Sequence, residues 1–436
     1  MITNYEEAIA FIHGRTQFKK SPSLGRMKSL MQRLDNPQDN ITMIHVAGTN
    51  GKGSTVAFLR ELFIAQGLSV GTYTSPFIVK FNERISLNGR MIDDDTLLNL
   101  VNIVKPTVDQ MDAELADLEG GPTEFEIITA MMFVYFGVSH PVDIVVVETG
   151  LGGKYDSTNI IDPILSVITT IGLDHMKILG DTIEKIAQQK AGIIKHNRPL
   201  VVGNVTDAVF RVITEEAEKK NSHIARLGFD FKVKSSGVKS SWAEVLTYQS
   251  KELTIKQLTV PLLGMFQDEN AATAIVAFEQ VASIQGWAPS IKLIRQGINA
   301  TTWPGRFEKV NDEPLVVLDG AHNVAAMDRI VQLLRTHFQD KEITIIFSVL
   351  ADKQGEQMLK RLVTIPNAHI ILTQFAGPRK VSQLNDFDIS QFKNVSFQDD
   401  WKTALVQSVH SMSTDDLLLV TGSLYFISEV RRYFVE

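Results

Sequence analysis

Residues 45–55 read HVAGTNGKGST and combine the features a phosphate site needs. Gly48, Gly51 and Gly53 carry no side chain, so backbone amides can approach an anion closely, and Lys52 adds a point charge. The apolar run ITMIHV precedes this stretch and the helical pattern STVAFLRELFIAQG follows it, so a helix N-terminus aims its positive end at the same place. The usual loop has a glycine, four residues, Gly-Lys, then Ser or Thr. Here Val46 stands at the first-glycine position and Gly53 follows the lysine, which displaces the hydroxyl to Ser54 or Thr55. Thr49, Asn50, Gly51, Lys52, Gly53, Ser54 and Thr55 form the expected phosphate-binding set; the bland alternative is a glycine-rich turn with a chance lysine.

Other chemistry-bearing residues lie further on. Glu148 ends the apolar run DIVVVE and is followed by TGLGG, whose glycines admit a ligand to a strand end. A carboxylate there suits a nucleotide-bound magnesium ion, although a solvated strand-end acid has the same appearance. His175 lies just past the run ILSVITTI; by residue type alone it reads as a surface or hydrogen-bonded histidine, because imidazole is a poor magnesium ligand. Lys190, in QQKAGIIK, reads as a solvated helix lysine, since an ammonium is repelled by metal ions. Ser75 reads as a turn serine before proline.

The elements that must position these residues alternate in a regular way. The runs ITMIHV, DIVVVE, ILSVITTI and PLVVG are separated by amphipathic segments, as expected for strands buried on both faces of a parallel sheet. From about 222 to 262 the texture turns shorter and more polar, which predicts an antiparallel appendage. TTWPGRF (301–307) marks a break, after which PLVVLDG, ITIIFSVL, HIILTQF and DLLLVTGS restart the rhythm. The prediction is an α/β chain of two domains, residues 1–298 and 299–436, and 436 residues are too many for one core.

Composition excludes several classes. The chain has no cysteine, so disulfides, thiol catalysis and thiolate metal sites are ruled out. A net charge of −7 argues against a bulk electrostatic grip on nucleic acid, so an anionic ligand needs a local pocket. No apolar run approaches the roughly 18 residues that cross a bilayer, and MITNYEEAIAF has no signal-peptide pattern. A cytoplasmic protein with no membrane association is expected.

GTNGKGS resembles the nucleotide loop of the ATP-dependent amide ligases that include the murein-peptide ligases and the folylpolyglutamate/dihydrofolate synthase family. YTSPFIVKFNERI (73–85), TEFEIITA (123–130), VVVETGLGGKYDSTN, LDHMKILGDTIEKIA (173–187), KAGIIK (190–195), WPGRFE (303–308), DGAHN (319–323) and TGSLY (421–425) resemble the blocks of the folate branch, in order and over nearly the whole chain. The resemblance implies an N-terminal P-loop ATPase domain of the murein-ligase type with a small β-rich appendage, and a C-terminal Rossmann-like glutamate-ligase domain. It implies that Ser75 and Glu148 serve a first magnesium ion, that His175 helps hold a second, and that Lys190 is carbamylated. In the family a glutamate often precedes that lysine; Gln189 stands here.

The resemblance also assigns Asn270 to adenine, Arg306 to phosphate and Asp319 to the nucleotide, with His322 and Ser423 near an incoming glutamate. On spacing alone Arg306 could equally form an interdomain salt bridge, and His322 and Ser423 are ordinary loop residues. Within SPFIVKFNERI, Phe77 and Arg84 offer the aromatic wall and the cation that a pterin and its glutamyl tail require, a mixture also common in plain loops. The implied reaction uses ATP, with two Mg2+ ions, to phosphorylate the γ-carboxylate of a reduced folate such as tetrahydrofolate or 5,10-methylenetetrahydrofolate. L-Glutamate then attacks the acyl phosphate, and a monomer would suffice. Joining glutamate to dihydropteroate, as a dihydrofolate synthase does, shares these motifs. A murein-peptide ligase is disfavoured by Gly53 and by the TSPF and LDGAHN blocks. A nucleotide-binding protein without catalysis would have no use for Glu148, His175 and Lys190 beside Lys52.

Overall fold

The computed structural model describes residues 1–16, 23–115, 120–239, 242–377 and 379–435. The chain divides into two compact units, one formed by Met1–Lys234, Leu246–Thr259 and Glu269–Thr301, the other by Ser235–Val245, Val260–Asp268 and Thr302–Glu436.

The first unit is built on eight strands: β1 (Met43–Ala47), β2 (Val70–Tyr73), β3 (Ile85–Leu87), β4 (Arg90–Met91), β5 (Ile144–Glu148), β6 (Leu165–Ile168), β7 (Leu200–Val202) and β8 (Ile224–Arg226). They lie in the order β4-β3-β2-β5-β1-β6-β7-β8. Every residue of β1 and β5 is buried, which is why their sequences are continuous apolar runs rather than alternating ones. Each buried Val or Ile adds roughly 1.5–3 kcal/mol of favourable transfer free energy. One face packs through Met43, Val145 and Val147 onto the helices Asp94–Glu114 and Glu124–Val134. The other packs through Ala47, Ile168 and Val202 onto the helices Ile183–Ala191 and Asp207–Lys219.

The sheet is mixed rather than parallel throughout. β3 runs antiparallel to β2 and β4 antiparallel to β3, adding a hairpin edge that the apolar-run pattern did not reveal. Residues 224–226, which fall in the stretch expected to form an appendage, instead pair in parallel with β7 as the last strand of this sheet. Three later strands, β9 (Lys232–Lys239), β10 (Ala243–Gln249) and β11 (Thr254–Val260), form a separate small sheet in the order β11-β10-β9.

The second unit has six strands, β12 (Glu308–Asn311), β13 (Leu315–Asp319), β14 (Ile343–Phe347), β15 (Ala368–Gln374), β16 (Val395–Asp400) and β17 (Leu417–Thr421), in the order β12-β13-β17-β14-β15-β16. The four apolar runs give its parallel centre, and β12 adds an antiparallel edge. No described helix is long and apolar enough to cross a membrane.

Candidate functional site

Register brings the scattered motifs of the first unit to one edge of its sheet. Val46 pairs with Glu148, Ala47 with Ile168, and Tyr73 with Val147. The four parallel strands β2, β5, β1 and β6 therefore end side by side, with Ser75, Glu148, Gly48 and Thr169 just at or beyond their carboxyl ends. Ligands bind at such an edge because the strands end there and the following loops and helix N-termini face outward.

The loop after β1 is held from both sides. Thr49 N donates to Thr170 O at 2.7 Å, and Thr169 Oγ1 and Thr170 Oγ1 both donate to Asn50 O, at 2.7 and 3.0 Å. Gly51 adopts φ +85°, a left-handed conformation that turns the chain into the helix Lys52–Ala65. A Cβ at Gly51 would lie 2.4 Å from Oδ1 of Asn270, so Asn270, on the helix Met265–Gln285, sits directly against the loop. Gly53, Ser54 and Thr55 are buried in the first turn, and Thr55 Oγ1 has no hydrogen-bond partner.

Two lysines converge on one backbone oxygen. Lys52 Nζ donates to Gly48 O at 3.2 Å and to Thr49 O at 3.4 Å, and lies 3.8 Å from Glu148 Oε1. Lys190 Nζ donates to the same Gly48 O at 2.6 Å. Lys190 is only 4% exposed, and burial, followed by the neighbouring Lys52 charge, pushes its pKa down to about 7; Asp174, Asp156 and Glu148 oppose the shift. Its helix is started by Thr182, whose side chain accepts from Lys185 N. Gly153 meets the end of that helix so closely that a Cβ would lie 2.7 Å from Gln189 O.

Other candidates are placed less centrally. Ser75 N donates to Glu148 Oε2 at 3.3 Å. The Arg84 guanidinium lies 5.3 Å from the Phe77 ring centroid and 5.4 Å from that of Phe81. His175 stands at φ +49° before a short helix; its backbone N–H donates to Asp174 Oδ1 at 2.9 Å, with Nε2 3.9 Å from Oδ2. Among the described residues, no three His, Asp or Glu side chains form a ready-made metal cluster.

In the second unit Asp319 and Thr421 are register partners, so the ends of β13 and β17 adjoin. Asp319 is buried and accepts from Phe307 N and Ala321 N, both at 2.8 Å. Burial raises its pKa, and Arg306 opposes the rise. Gly320 separates Arg306 from Leu424: a Cβ there would lie 2.7 Å from an Arg306 nitrogen and 2.2 Å from Leu424. His322 Nδ1 donates to Gly320 O at 2.8 Å, and Ser423 is buried in the turn after β17. Arg306, Asp319, His322 and Ser423 thus share one sheet edge.

Comparison with known proteins matches residues 46–278 to the Mur ligase middle domain and 305–424 to the Mur ligase glutamate ligase domain. A dihydrofolate synthase/folylpolyglutamate synthase of Bacillus subtilis is 42% identical over 99% of both chains. The chain belongs to the folylpolyglutamate synthase family. A solved FPGS–AMPPCP–folate complex superposes with a TM-score of 0.89 at 37% identity over the whole of both chains. A Mycobacterium tuberculosis folylpolyglutamate synthase complexed with ADP gives 0.90 at 29% identity, covering 99% of this chain and 98% of its own.

Within this member of the folylpolyglutamate synthase family, two carboxylates acting on Lys190 escaped the motif reading. Asp156 is buried and accepts from Leu151 N at 2.8 Å and from Thr158, with burial raising its pKa. Asp174 adjoins His175. Both lie inside quoted motifs, KYDSTN and LDHM, but nothing in their spacing distinguishes a buried acid from a loop acid. Thr169 and Thr170, which grip the loop after β1, belong to an apolar run and read only as strand residues.

Proposed function

We propose that the protein adds L-glutamate through its amine to the γ-carboxylate of a reduced folate, consuming ATP. The observation that carries this reading is the convergence of Lys52 and Lys190 on Gly48 O, with Glu148 3.8 Å from the Lys52 ammonium, at the mouth of a glycine-rich loop and a helix N-terminus. Lys52 supplies cationic charge for phosphate beside a carboxylate that can take a metal ion. Thr49 to Thr55 form the phosphate loop and Asn270 borders the adenine.

A carboxylate is inert to amines at neutral pH. Transfer of the terminal phosphoryl of ATP forms a C–O–P linkage on the folate γ-carboxylate and releases ADP. The glutamate amine, as the neutral NH2, attacks that carbonyl carbon; the C–N bond forms, the nitrogen gives up one proton to the departing phosphate or to water, the C–O bond to phosphate breaks, and inorganic phosphate leaves. Lys52 neutralises charge on the phosphoryl group in flight, and the rigid loop holds it in line. The oxygen donors of Glu148 and Ser75 suit one Mg2+, and the family resemblance assigns His175 and a carbamylated Lys190 to a second. Magnesium bound there would offset phosphate charge. The family resemblance assigns Arg306 and Asp319 to the nucleotide, His322 and Ser423 to the incoming glutamate, and Phe77 with Arg84 to the pterin and its tail.

Incubation with Mg-ATP, L-glutamate and, in parallel, tetrahydrofolate, 5,10-methylenetetrahydrofolate or dihydropteroate tests this reading by mass spectrometry. Glutamyl-extended reduced folate with matching ADP is expected; absence of extension on every acceptor while ATP still binds would refute it. Product from dihydropteroate would add dihydrofolate synthase activity.

A further inference from the structure

The segment Thr74–Arg84 between β2 and β3 holds Ser75, Phe77 and Arg84, yet its only regular element is the single turn Phe81–Arg84. One side chain organises the rest. Glu83 Oε2 accepts from Ile78 N at 2.7 Å, and Oε1 accepts from Val79 N and Lys80 N, each at 3.0 Å. Three consecutive amides are turned inward onto one carboxylate, and amide bonds to an ionised acceptor are stronger than neutral ones.

The neck and flank of the loop are also tied. Thr74 N donates to Arg84 O at 3.0 Å, closing the neck. Asn82, buried, donates to Ile92 O and to Asp94 Oδ1, both at 2.9 Å, and accepts from the Tyr5 hydroxyl at 2.9 Å. With the base fixed in this way, Glu83 holds the backbone of the tip, and the tip orients Phe77 against Arg84.

We infer that Glu83 is a positioning residue for the folate acceptor, its carboxylate holding residues 78–80 so that Phe77 and Arg84 are presented together. The inference rests on the folate reading given above. Without the carboxylate the loop samples other shapes, and acceptor affinity falls by the fraction of time the competent shape is lost. Saturating acceptor restores that shape, so the maximal rate is spared.

Hydrogen exchange at the amides of residues 78–80 and steady-state kinetics on wild type, Glu83→Ala and Glu83→Gln test this together. In Glu83→Ala, exchange at these amides should quicken about tenfold or more, and the acceptor KM should rise by about the same factor. The kcat and the KM for ATP should stay within about twofold of wild type. Glu83→Gln, which keeps one acceptor oxygen, should fall between. Unchanged exchange would overturn the clamp, and a fall in kcat with no change in acceptor KM would overturn the positioning role. A wild-type protein inactive on every folate would instead sink the proposed function, and the exchange result would still decide the clamp.

Discussion

Replacing Gly51 by alanine separates two causes of loss that the structure lets one size independently. The first is the backbone, because φ +85° places an L-residue in the left-handed region, at a cost of about 1–2 kcal/mol. The second is steric. The new Cβ would lie 2.4 Å from Asn270 Oδ1, well inside contact distance, so the Asn270 side chain must leave its rotamer, adding about 1 kcal/mol. Gly51→Ala should therefore lower stability by about 2–3 kcal/mol, and ADP affinity should fall about tenfold because Asn270 and the loop amides are displaced together. Denaturant unfolding of Gly51→Ala, Asn270→Ala and the double variant closes a cycle. In the Asn270→Ala background only the backbone part should remain, leaving a coupling of about 1 kcal/mol. Equal losses in both backgrounds would show that the contact with Asn270 contributes nothing and would refute the steric half of the reasoning.

Three further outcomes are expected. Lys52→Ala should cut ADP release by about 100-fold or more while the melting temperature stays close to wild type, because among the described residues its ammonium meets the Gly48 and Thr49 carbonyls and Glu148; near-normal turnover would remove Lys52 from the phosphate site. Native protein analysed without acid should be heavier by one carbon dioxide, and Lys190→Arg should lack the addition; an unmodified native mass would exclude carbamylation. Glu279, buried beside Ser250 at 3.2 Å, has its pKa pushed up to about 7 by burial, from an ordinary 4.5. A raised carboxyl binds more protons folded than unfolded, so its contribution is complete below about pH 4.5 and is lost as pH rises through about 7. Glu279→Gln should flatten the decline in stability between about pH 4.5 and pH 7, and an unaltered slope would show that Glu279 ionises freely.

Strand identity at the centre of the two larger sheets was readable because strands buried on both faces must be apolar throughout. DIVVVE and DLLLVTGS announce β5 and β17 without any tertiary information. The edges were not readable. β3 and β4 are short and partly exposed, and residues 224–226 lie among polar residues, so their place depends on which neighbour offers a free ladder. The same contrast divides the site. Lys52 and its glycines form a local pattern in which neighbours along the chain do the work. Asp156 and Glu83 act through amides that fold back on them, and no periodicity marks an acid as destined for that.

The sequence by itself determined the chemistry available: a glycine-bounded lysine before a helix, a carboxylate at a strand end, no thiol, and the blocks of a known ligase family. Tertiary structure alone decided their geometry. Strand order β2-β5-β1-β6 puts Ser75, Glu148, Gly48 and Thr169 along one edge, although they are far apart in the chain. Packing of the helix Ile183–Ala191 then buries Lys190 against the carbonyl that Lys52 also uses. The physical reason is that composition and local spacing set which groups can react, whereas burial and proximity, which set their charge and reach, arise only when distant segments share a core.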